Sequence, residues 1–211
     1  MTPKILLYAV VLLCCSVSYG RADTIITDPG TGIADISPGA TVGFDFTVGS
    51  SPLLVTSLGL WDENQDGFAN SHMVGLWDNS GNLLGSVTIS PSTTDPLSGE
   101  FRYATLGSPV TLLAGTTYVL SGSYVTDDAD HYVGNLAAHQ ATFNPAVASG
   151  HVRVQTNSLF AFPVGVFALG SIVGPNAQFT VVGSVPDVGT TFPLFGLSLM
   201  GLAFLRRKTP A

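Results

Sequence analysis

From Thr41 to Val48 the chain reads TVGFDFTV, with Val42, Phe44, Phe46 and Val48 at alternate positions. A period of two puts one face of a strand against a core and turns the other outward. Further apolar, β-branched or aromatic runs cover Leu53–Trp61, Met73–Trp77, Leu83–Ile89, Phe101–Leu106, Val110–Leu113 and Thr116–Val125. Val152 and Val154 then alternate with His151, Arg153 and Gln155, and Gln178–Val182 closes the series. Asp78-Asn79-Ser80-Gly81 separates two of these runs and predicts a tight hairpin. Gly107-Ser108-Pro109 and Ala114-Gly115 predict breaks between others. No internal segment holds a 3.6-residue period over three turns, and the best helical candidate is Asn135–Phe143. Many short strands with turn residues between them predict an all-β fold, an antiparallel β-sandwich or jelly roll.

Different patterns mark the two ends. Lys4 precedes an apolar run from Ile5 to Val17, followed by Ser18-Tyr19-Gly20-Arg21-Ala22. A positive start, a short apolar core and small residues at alternate positions predict a secretory signal peptide over residues 1–22, with cleavage after Gly20 or Ala22. The run is shorter than the roughly 20 residues a membrane-spanning helix needs. At the other end Phe192–Leu205 is apolar apart from Ser198, and Arg206-Arg207-Lys208 follows at once. At about 1.5 Å per residue this stretch covers ~21 Å of a ~30 Å hydrocarbon core. It is a marginal span, with its basic end held on the cytoplasmic side and the body outside. The expected division is therefore a leader over 1–22, a β domain over 23–183 and a C-terminal segment over 184–211.

Composition narrows the chemistry. The only two cysteines, Cys14 and Cys15, lie in the leader, so disulfides, thiolate metal sites and cysteine nucleophiles are excluded from the body. Its formal charge is −7 overall, yet all fourteen acidic residues lie between Asp23 and Asp187 with only Arg102 and Arg153 as basic companions. That segment stands near −12, which argues against nucleic acid as a partner because phosphate binding needs clustered Lys and Arg.

The order Val185-Pro186-Asp187-Val188-Gly189-Thr190, apolar helix, Arg206-Arg207-Lys208 resembles the PEP-CTERM class of bacterial C-terminal sorting domains. It is most similar to the branch whose motif begins Val-Pro-Asp with Gly two residues later, and it departs from that branch in having Val188 where Ser is common. The resemblance implies recognition by an exosortase, a membrane-embedded transpeptidase-like protease, with cleavage near Val185-Pro186-Asp187. It further implies export through the Sec machinery, transient residence in the inner membrane, and a destination at the surface or in the exopolysaccharide of a biofilm. The stretch from Thr41 to Tyr124, with its FDFTV, LGLWD, SHMVGLWD and AGTTYVL elements, also resembles a β-sandwich domain of unknown function in exported bacterial proteins.

Three constellations in the body carry possible chemistry. Asp62, Asn64 and Asp66 at alternate positions before Gly67 match the opening of a calcium loop, with Asn70 as a further ligand; Met73 occupies the closing position where a bidentate Glu belongs. The alternative is a polar turn between strands. Asp127, Asp128, Asp130 and His131 form a second acidic cluster with the oxygen ligands to hold a hard cation, alone or with the first loop; the alternative is a solvated connection between strands. Trp61 and Trp77 with Tyr103 and Tyr124 are candidates for a sugar-stacking platform, or else for core. Asp45, Asp62, Glu100 and Asp128 are the carboxylates a glycosidase would draw on. No nucleophile elbow or H-E-x-x-H motif is present. The expectation is a non-enzymatic surface or matrix protein. Its rivals are a calcium-stabilised carbohydrate-binding module and a polysaccharide hydrolase using paired carboxylates.

Overall fold

The computed structural model describes residues 22–30, 33–35, 38–126, 129–135, 141–156, 160–167 and 171–183. The expected leader (apart from Ala22) and the C-terminal segment lie outside them. Among the described residues sixteen strands run in the order β1 (Asp23–Thr24), β2 (Ile26–Asp28), β3 (Ile33–Asp35), β4 (Pro38–Val48), β5 (Leu53–Trp61), β6 (His72–Asp78), β7 (Leu83–Ile89), β8 (Leu97–Ser98), β9 (Phe101–Leu112), β10 (Thr117–Thr126), β11 (Tyr132–Asn135), β12 (Thr142–Phe143), β13 (Val147–Thr156), β14 (Gly165–Phe167), β15 (Ser171–Val173) and β16 (Pro175–Val181). A five-stranded sheet has the order β1-β16-β5-β9-β8, and a six-stranded sheet the order β14-β13-β4-β10-β6-β7. Smaller ladders join β15-β11-β3 and β12-β2. Every pairing is antiparallel, and the two large sheets form a β-sandwich.

The period-two pattern accounts for the core. On β4, Ala40, Val42, Phe44, Phe46 and Val48 are all buried, and they share one cluster with Leu76 and Leu120 of the same sheet and with Leu58, Leu60 and Phe179 of the other. Strands β5 and β7 have the ends that the sequence predicts. The Asp78 turn also forms as expected: its carboxylate accepts from the Ser80 and Asn82 amides, both at 2.9 Å, and from the Asn82 side chain at 2.7 Å. These bonds, led by the one from the Asn82 side chain, hold the Asp78 carboxyl below its usual pKa.

Two expectations are corrected. Gly107-Ser108-Pro109 does not end a strand. Val55 faces Val110 while Ser57 faces Thr105, so the intervening residues of β9 loop out as a bulge within one continuous strand. Pro109 is tolerated there because a bulged, exposed residue owes no ladder hydrogen bond. The helical candidate Asn135–Phe143 is not a helix where it is described. Asn135 ends β11 and Thr142–Phe143 form β12, each drawn into a ladder by a partner distant in sequence.

The aromatic platform is not formed either. Trp77, Tyr103 and Tyr124 are 3%, 3% and 1% exposed, which makes them core residues. Burial raises the Tyr103 hydroxyl well above its usual pKa. Trp77 is roofed by Phe160 and Phe162, at ring-centroid distances of 5.3 and 6.4 Å, and its ring lies over Gly75 two residues before it. A Cβ at position 75 would strike that ring. Gly75→Ala should therefore destabilise the domain by about 1–3 kcal/mol, seen as a lower urea midpoint with an unchanged slope.

Candidate functional site

At one end of the sandwich, residues 62–71 cross from the five-stranded to the six-stranded sheet. This is the segment in which the calcium loop was expected. Asp62 is buried, and Oδ2 accepts from Arg102 Nε at 2.7 Å while both oxygens accept from the Gly67 amide at 3.1 Å. Gly67 has φ 97°, a conformation that suits glycine and turns the loop back onto Asp62. Arg102 also donates to the Gln65 carbonyl at 3.2 Å and the Asp95 carbonyl at 3.0 Å. One guanidinium thus ties together the start of β9, the 62–71 loop and the loop after β7.

A second buried pair fastens the far side of the same loop. Asp130 accepts from the Ala69 amide at 2.9 Å on both oxygens and from the Asn70 amide at 3.0 Å. His72, 1% exposed, places Nε2 at 2.8 Å from Asp130 Oδ2 and Nδ1 at 2.8 Å from the Ser123 carbonyl. A carbonyl and a carboxylate only accept, so the geometry calls for a proton on each ring nitrogen. Burial acts to raise the Asp130 carboxyl, but the bonds from His72 and from the two amides outweigh it and hold the group below its usual pKa.

In front of these pairs lies a cleft of about 410 Å³, walled by Trp61, Glu63, Asn64, Asp66, Ser92 and His131 among others. Trp61 is half-buried, and its indole Nε1 donates to Glu100 Oε2 at 3.1 Å. At the mouth, His131 Nδ1 meets Glu63 Oε2 at 2.6 Å and links the loop to the segment before β11. Asn64, Gln65 and Ser92 have φ of 64°, 62° and 66°; among the described residues these are the non-glycine residues in the left-handed region, and all belong to this end of the molecule. Held conformations of this kind persist where the surroundings over-determine them. Ser92 is fixed by a mutual backbone bridge with Phe68, at 2.6 and 3.3 Å.

The expected ligands therefore divide. Asp62 is occupied internally, whereas Asn64, Asp66 and Asn70 are exposed. Among the described residues no group of three or more His, Cys, Asp or Glu side chains is arranged to hold a metal ion. Of the second cluster, Asp130 and His131 are hydrogen-bonded to the first loop, through the Ala69 and Asn70 amides and the Glu63 carboxylate; Asp127 and Asp128 lie outside the described residues. Of the four carboxylates named for hydrolysis, Asp45, Asp62 and Glu100 are described, and each is taken up separately. Asp45 is bound by Arg153 Nε at 2.7 Å and the His151 amide at 2.6 Å, Asp62 by Arg102, and Glu100 by Trp61.

Residues 27–178 match the model of a domain of unknown function, DUF4082. The chain belongs to the DUF4082 family. Residues 184–209 match the VPDSG-CTERM motif, the sorting signal that the Val-Pro-Asp-x-Gly order pointed to. No curated protein matches the chain. The motif makes this DUF4082 chain an exported protein with a PEP-CTERM-like signal and implies processing by an exosortase-type membrane enzyme. Among the described residues no helix is long and apolar enough to cross a membrane, and Phe192–Leu205 is outside them.

Two outcomes test the buried pairs. Arg102→Met leaves the Asp62 charge buried and unpaired, and should cost about 3–5 kcal/mol in urea unfolding, while Arg102→Met with Asp62→Leu should recover much of that. Because the Asp130 carboxyl is lowered on folding, its contribution is complete above the unfolded carboxyl pKa and is lost as pH falls through the lower folded value. Asp130→Asn should start less stable at neutral pH and lose less stability than the wild type between about pH 4 and pH 2.

Proposed function

We propose that this chain is a non-enzymatic surface or matrix module. It is exported through the Sec machinery, held briefly in the inner membrane by its C-terminal segment, and released or transferred when an exosortase cuts near Val185-Pro186-Asp187. The observation that carries the reading is the sorting motif over residues 184–209, directly after an all-β domain. Gly189 and Thr190 keep the motif polar and turn-prone ahead of the apolar stretch, and Arg206, Arg207 and Lys208 stop transfer behind it.

The non-enzymatic part is supported by how the acidic side chains are used. Asp45, Asp62 and Asp130 each hold a backbone segment and a cationic partner in place, which spends the carboxylates a glycosidase would need free. A calcium-stabilised module is disfavoured by the same economy, since Asp62 already has Arg102 where a cation would sit. The destination favoured here is the extracellular polysaccharide layer.

The test is the intact mass and C-terminal peptide of the protein from its native host, together with turnover assays on a polysaccharide panel. Loss of everything after about Val185–Gly189, with no turnover, is expected. A membrane-bound product still ending in Arg206-Arg207-Lys208 would refute processing. Turnover that a single carboxylate substitution abolishes would refute the non-enzymatic reading.

A further inference from the structure

The loop end of the sandwich separates its polar groups into two sets. Behind the cleft, Asp62, Arg102, His72 and Asp130 are buried and satisfied by one another and by the backbone. In front, the side chains of Asn64, Asp66 and Ser92 are exposed and have no hydrogen-bond partner among the described residues, and the His131 ring bonds Glu63 through Nδ1, with no partner for Nε2 among the described residues. The unspent groups all line one cleft, beside the part of Trp61 that the core leaves uncovered. Two of them, Asn64 and Ser92, are presented from left-handed backbone that the internal pairs keep in place. Rigid presentation of free hydrogen-bonding groups lowers the ordering cost of binding.

We propose that this cleft binds a neutral hexose unit of an extracellular polysaccharide. An amide, a hydroxyl and an imidazole nitrogen beside a carboxylate offer both donors and acceptors, which suits a ring bearing several hydroxyls. The indole of Trp61 gives an apolar wall for the C–H face of such a ring. Glu63 and Asp66, in a body with no free Arg or Lys near the cleft, disfavour an anionic sugar. At about 410 Å³ the cleft falls in the range of small-molecule sites. The proposal relies on the surface reading only for where the ligand comes from; binding and tail processing are measured separately, so either can fail alone.

The test uses the full chain in detergent on an array of defined glucose, galactose and mannose oligosaccharides, with oligogalacturonate as the anionic probe and a chitosan hexamer as the cationic one. Titration calorimetry follows on the best ligand. The variants are Asp66→Ala and the pair Asn64→Gly with Ser92→Gly. Glycine accepts the left-handed backbone at both positions, so the pair should melt no lower than the wild type while its side chains are gone. Saturable binding to a neutral oligosaccharide, weakened about tenfold or more in each variant with melting retained, is expected. No saturable binding to any neutral oligosaccharide, tighter binding to either charged probe, or wild-type affinity in the variants would each overturn it.

Discussion

The contact between Arg102 and Asp62 sets the shape of the functional end of this protein. A buried guanidinium is tolerable only if its charge and its donors are met, and here two loops supply what is needed. Asp62 answers the charge, and the carbonyls of Gln65 and Asp95 answer two further donors. The reverse dependence is as strict, because Asp62 uses its remaining capacity to hold the Gly67 amide. The turn, the position of Phe68 and the bridge from Phe68 to Ser92 all follow from that arrangement.

The pair formed by His72 and Asp130 repeats the principle from the opposite sheet. One carboxylate takes two backbone amides of the loop and an imidazole, and the imidazole passes its other proton to the β10 backbone at Ser123. The loop is thus pinned near its start by Arg102 of the five-stranded sheet and near its end by Asp130, in the segment before β11, which His72 of the six-stranded sheet in turn anchors. With both ends fixed, the residues between them hold left-handed conformations.

Much of the fold was legible because it depends on local pattern. The β4 alternation, the ends of β5 and β7 and the Asp78 turn are all written in neighbouring residues. The bulge in β9 was not, since Gly-Ser-Pro reads as a stop and only the partner strand reveals that pairing resumes at Val110. The site was legible in part. Asp62, Asn64 and Asp66 mark a turn, but their spacing is that of a calcium loop and says nothing of Arg102, 40 residues on, which pairs with Asp62. Asp130 and His72 are 58 residues apart. The usable signal was scarcity: with two arginines against fourteen acids between Asp23 and Asp187, each of the two had to be placed where it mattered.

That scarcity has an effect outside the molecule. Arg102 is buried with Asp62, and Arg153 is largely covered while it serves Asp45 and Asn79. Among the described residues the solvent therefore meets carboxylates with almost no fixed cation between them. When crowded, such domains behave as small polyanions, drawing in counterions and staying apart until ionic strength shortens the Debye length from about 10 Å at 0.1 M toward 3 Å at 1 M. Spacing between copies becomes a function of the salt around them.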